Sequence, residues 1–202
     1  MFEPDSKGFP MTTTELPHFD GDPFEQIAGI LEHLMETRQP SFTWAQIGQM
    51  HTLGRNEIPQ LLAELAFELE GFDLFPADEL AIAVEQAWTE AEFPARLLDK
   101  ETWHNLFTQC GYIHDGTSRE RPTESIQLYR GATPDTKAGA SWTDNIEKAQ
   151  WFARRPILFG KGEVYTASVE PARLFAYFNE SRGESEYVID TDDLEITEYT
   201  NN

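Results

Sequence analysis

The sequence predicts an α+β protein, with an acidic α-helical region first and a mainly β region after it. Apolar residues recur at helical spacing until about residue 110. After about residue 126 they fall into short alternating runs bounded by Gly and Pro. The charge divides the same way, with 22 acidic against 6 basic residues in 1–120 and 14 against 9 in 121–202.

Taken in order, residues 1–21 mix Pro, Gly, Thr and acids without periodicity and read as a loose N-terminal arm. A helical region spans 22–115. Asp22-Pro23 opens its first helix, with Asp as N-cap and Pro at the first position. Ile27, Ile30, Leu31 and Leu34 form one apolar stripe, and Gln39-Pro40 ends it. A short helix is expected over Trp44–Leu53, closed by Gly54, and a longer one over Glu57–Leu69, followed by Gly71. The pair has the outline of a helix-turn-helix. Arg55 is the only base between Gln39 and Pro94, and DNA recognition needs cations against phosphate, so the pair reads as ordinary helix packing. Pro76-Ala77-Asp78 starts a helix that Pro94 breaks, and a last one runs from Lys100 to Cys110 and stops at Gly111.

Asp115–Ser125 is polar and reads as a linker or an ordered loop, and a second region spans 116–202. Strands are expected at Ile126–Arg130, Gly162–Val169, Glu184–Asp190 and Leu194–Thr197. A helix capped by Asp144 is expected to reach Arg154, and Pro171–Leu174 reads as a single turn.

The net charge of −21 opposes nonspecific binding to nucleic acid or to an anionic membrane, and either favours a protein partner with a basic surface or serves only solubility. Cys110 is the only cysteine, so no intrachain disulfide forms, and a reducing compartment fits. The N-terminus lacks a basic segment followed by an apolar run, and no stretch reaches transmembrane length. The expectation is a soluble protein, cytoplasmic or delivered by a signal-less route. The five histidines and Cys110 show no metal-ligand spacing, so no metal is expected.

Three features of the second region carry chemistry. Arg130 ends a strand, Ser141 and Thr143 precede a helix, and Glu184 and Glu186 open a strand. In an extended strand the two glutamates share a face, where like charges repel. Each feature also has a plain structural reading: a surface strand end, a helix cap, a solvated edge.

As an ordered set they resemble the ADP-ribosyltransferase superfamily, in its Arg–Ser–Glu branch shared with cholera-toxin-like and clostridial-toxin-like enzymes. The resemblance covers about residues 126–199. Its motifs are Leu128-Tyr129-Arg130-Gly131, Ser141-Trp142-Thr143, Ala149-Gln150-Trp151-Phe152-Ala153 and Glu184-Ser185-Glu186. Trp142 and Thr143 stand where the family motif has Thr and Ser. The resemblance implies two packed sheets with NAD, the substrate, in the cleft between them. Arg130 would bind the pyrophosphate, and Gly131 would let backbone approach the nicotinamide amide. Ser141 would orient Glu186, and Glu186 would stabilise the positive charge that develops on the ribose. Phe152, Trp142 and Tyr177 are candidates to cover the nicotinamide ring, and Thr143 keeps the motif's hydroxyl. Glu184 would position the acceptor, often a guanidinium. The implied activity is mono-ADP-ribosyl transfer. NAD glycohydrolysis and an inactive acidic binding protein are the alternatives.

Overall fold

The computed structural model describes residues 15–39, 41–69, 74–155, 160–180 and 185–200. Residues 1–14 of the arm, the helix-ending Pro40 and Gly71, and Glu184 lie outside these. Among the described residues the fold is mixed α/β, with seven helices and an eight-stranded sheet.

Local chemistry sets the helix ends. Asp22 accepts from the Glu25 N–H at 3.0 Å and the Glu25 carboxylate accepts from the Asp22 N–H at 3.3 Å, which starts α1 (Pro23–Thr37). Arg38, in the left-handed region at φ 43°, ends it. Thr43 and Gln46 form the same reciprocal cap on α2 (Trp44–Gly48). This helix stops short of the expected Leu53. Gln26 draws off the Thr52 N–H at 2.9 Å and the Met50 carbonyl accepts from Phe19, so the backbone here serves α1 and the arm. Then come α3 (Ile58–Glu68), α4 (Ala77–Glu90), a single turn α5 (Pro94–Leu97) and α6 (Lys100–Cys110), which Asp99 caps through Thr102. The described end of the arm is anchored, since Leu16 and Phe19 pack against the helical core.

The strands are β1 (Tyr112–His114), β2 (Thr117–Arg119), β3 (Ile126–Ala132), β4 (Ser141–Thr143), β5 (Glu163–Val169), β6 (Leu174–Phe178), β7 (Glu186–Ile189) and β8 (Thr197–Glu198). Helix α7 (Ile146–Ala153) lies between β4 and β5. Their order across the sheet is β2-β1-β6-β7-β4-β3-β5-β8. Only β1 and β6 run parallel; the other neighbours are antiparallel.

The strands are hydrogen-bonded into one sheet, where two packed sheets are expected. The join between β4 and β3 is a single pair, Thr143 with Tyr129, whereas β3 and β5 pair continuously from Ile126 to Ala132. So thin a join lets the halves fold over a shared core. Trp142, Leu174 and Ile189 from one half meet Leu128, Tyr165 and Val169 from the other in one buried cluster.

The opposite face of the first half carries the helices. Ile113, Phe175, Ala176, Phe178 and Val188 belong to the same buried cluster as Ile30, Leu61, Leu65, Val84 and Phe107. Helical region and sheet therefore share one core. Lys100 on α6 adds ion pairs to Asp192 and, at 3.9 Å, to Asp190, which also lies 4.0 Å from Arg173. Both acids thus have cationic partners, though such exposed pairs add little stability.

His51 makes the helical region sensitive to acid. Its Nδ1 accepts from the Leu53 N–H at 3.2 Å, and its buried Nε2 has no partner among the described residues. Burial first, and then His18, hold its pKa below the ordinary 6.5. A histidine depressed in the folded state takes its proton more readily when unfolded. Stability is therefore full above the unfolded pKa and falls as pH drops through it. Thermal melts from about pH 8 down to about pH 5 should show Tm falling in the wild type and a shallower fall in His51→Gln. Parallel curves for the two proteins would rule His51 out.

Candidate active site

Arg130 sits where β3 and β4 part beyond their single pair. Leu128 and Ala132, two residues to either side on the same strand face, are buried, and they carry Arg130 inward with them. Its Nε donates to the Thr136 carbonyl at 3.2 Å and its Nη1 to the Ser141 carbonyl. Gly139 makes room for the guanidinium, since a Cβ there would lie 2.4 Å from Nη2 and 2.8 Å from Cζ. Burial pulls the guanidinium down to about 10, and the Glu186 carboxylate opposes that fall. The group stays charged at neutral pH. Two of its five N–H donors hold the chain in the fork, a structural duty beyond the phosphate contact expected of it.

Ser141 and Glu186 meet across the β4–β7 ladder. The register sets Ser141 opposite Val188 and Thr143 opposite Glu186, so all four share one face. On the diagonal, Ser141 Oγ donates to Glu186 Oε1 at 2.5 Å. A third group comes from the helical region, where Trp88 Nε1 on α4 donates to the same Oε1 at 2.9 Å. Arg130, Ser141 and Glu186 are thus gathered in one place from β3, β4 and β7. A cavity of ≈ 170 Å³ lies behind Trp88, walled in part by Trp103, Phe107, Phe175, Gly139 and Val188.

Other expected residues are placed differently. Trp142 points to the opposite side of β4 from Ser141, is buried in the core, and donates its Nε1–H to the Gly139 carbonyl at 2.8 Å. Tyr177 lies opposite Tyr187 and faces away from Glu186, with the two rings 4.6 Å apart. Phe152 packs on α7 beside Gly131. A Cβ on Gly131 would fall 2.0 Å from the Ala149 carbonyl oxygen and 2.4 Å from the Ala153 nitrogen, so the glycine is explained by close packing of α7 on β3. Thr143 is buried, and its Oγ1 accepts from the Asn145 N–H at 3.1 Å. Asn145, not Asp144, caps α7, accepting from the Glu147 and Lys148 N–H groups. Ser141 belongs to a strand and caps nothing.

Strand β7 begins at Glu186, Ser185 before it has φ 48°, and Glu184 lies outside the described residues. Among the described residues no cluster of three or more His, Cys, Asp or Glu is arranged to hold a metal ion. Cys110 is buried, with its thiol pushed up to about 12, which leaves it unreactive. No helix among them is long and apolar enough to cross a membrane.

Comparison of the chain with protein-family models, curated proteins and solved structures finds no match. Trp88 is the residue that sequence reading missed. It lies on the apolar stripe of α4 and reads there as core. The one signal was general: a buried indole N–H needs an acceptor, and a helix interior supplies none.

Proposed function

We propose that the protein is a mono-ADP-ribosyltransferase that moves ADP-ribose from NAD to a macromolecular acceptor. The observation that carries this reading is the Ser141 Oγ to Glu186 Oε1 contact of 2.5 Å, with Arg130 bonded to the Ser141 carbonyl and electrostatically coupled to Glu186. In this reading NAD lies in the cleft where the two halves of the sheet diverge. The bond between ribose C1′ and the nicotinamide nitrogen breaks, and nicotinamide leaves with the electron pair. Positive charge spreads over C1′ and the ring oxygen. Glu186, held by Ser141, stabilises it and accepts a hydrogen bond from a ribose hydroxyl. The acceptor nitrogen then bonds to C1′ and releases its proton to solvent or to a nearby base. Arg130 presents its remaining donors to the pyrophosphate as a planar fork.

Glu184 suggests a protein arginine as acceptor, and the acidity of residues 1–120 suits a target with a basic surface. Labelled NAD, incubated with the protein and a cell extract, should transfer label to a macromolecule and release nicotinamide. Free ADP-ribose formed at the same rate without any acceptor would identify a glycohydrolase instead. No turnover and no NAD binding would leave an acidic binding protein.

A further inference from the structure

Trp88 is where the helical region enters this site. Its ring is buried and fixed edge-on between Trp103, at 5.0 Å and 84°, and Phe107, at 5.4 Å and 71°. The indole N–H is therefore aimed by packing and meets Glu186 Oε1 at 2.9 Å across 98 residues of chain. Ser141 Oγ reaches the same oxygen from β4. Two donors from two elements thus converge on one oxygen of a carboxylate borne by a third.

We propose that Trp88 is a positioning residue of the transferase, whose indole N–H holds Glu186 in its working rotamer and keeps it ionised. This role rests on reading Glu186 as the carboxylate that faces the ribose. An indole only donates, so it favours the charged form of its acceptor over the protonated one. A serine hydroxyl can rotate and serve either form. The Arg130 guanidinium coupled to Glu186 favours the charged form as well; Trp88 adds a bias that Ser141 does not, and the helical region becomes part of the catalytic apparatus.

Trp88→Phe keeps an aromatic ring between Trp103 and Phe107 and deletes only the donor. It should lower kcat by about tenfold to a hundredfold, the range of one hydrogen bond to a charged group. KM for NAD should stay within about threefold, because the lost contact acts on the charge formed in the transition state. The acidic limb of the kcat–pH profile should move to higher pH. Trp44→Phe is the packing control. That indole bonds Gln86 Oε1 at 2.5 Å elsewhere in the helical region, and its loss should leave kcat and the pH limb in place. A second readout uses no altered tryptophan at position 88. In the intact protein the Trp88 indole ¹H–¹⁵N resonance should titrate with the acidic limb, and the titration should vanish in Glu186→Gln. If Trp88→Phe matches Trp44→Phe in kcat and pH profile, or the resonance does not titrate, the role is overturned while the transferase reading stands. A wild-type protein that neither binds nor turns over NAD removes both.

Discussion

Glu186→Gln should lower kcat for NAD turnover by on the order of 10³-fold, the upper end of what one electrostatic group in an enclosed site contributes. The fold should survive. A glutamine amide oxygen can still accept from both Ser141 Oγ and Trp88 Nε1, so both bonds persist in neutral form. Their weakening costs about 1 kcal/mol, or about 2–4 °C in Tm for a chain of this size. Circular dichroism melts and single-turnover assays of nicotinamide release separate the two effects. A purified Glu186→Gln protein with wild-type turnover would remove Glu186 from the chemistry.

Arg130→Lys should cost both binding and stability. The guanidinium reaches the Thr136 and Ser141 carbonyls from two different nitrogens, and the Glu186 carboxylate lies close enough to raise its pKa. One ammonium nitrogen cannot occupy both donor positions, so a carbonyl or the pyrophosphate goes without its partner. The loss of stability should be about 1.5–3 kcal/mol, read from denaturant midpoints, and KM for NAD should rise about tenfold or more. A lysine variant with unchanged NAD affinity would reduce Arg130 to a brace between β3 and β4. Arg130→Lys should thus act through KM, whereas Trp88→Phe acts through kcat.

Much of this architecture can be read from short-range chemistry. Asp22-Pro23 announces a helix start because caps act within four residues, and α6 runs over the expected Lys100–Cys110. What escaped reading depended on partners distant in sequence or on turn geometry. The turn and second strand of the β1–β2 hairpin fall in Asp115–Ser125, read as a linker or an ordered loop, although Asp115-Gly116 carries the hairpin's signal, both residues lying at positive φ, 43° and 67°. Strand β6, Leu174–Phe178, is a short continuous apolar run without alternation, buried on both faces between sheet core and helices. In the site, Arg130, Ser141 and Glu186 were legible as residue types in order; the β4–β7 register brings Ser141 and Glu186 together, and Arg130 joins them through the Ser141 carbonyl. Trp142 was not, because a three-residue strand sends alternate side chains to opposite faces and the sequence does not say which face holds the site. Trp88 was out of reach because nothing local distinguishes a tryptophan that packs from one that also donates.

The shared core under α4 and α6 has a consequence for how this protein can be divided. Cutting the chain near residue 115 would strip cover from Phe175, Phe178 and Val188 and leave a bare apolar sheet. It would also remove the indole that grips Glu186. The two regions are unlike in composition and charge, yet the carboxylate at their junction belongs to both. The machinery can be assembled only as one piece.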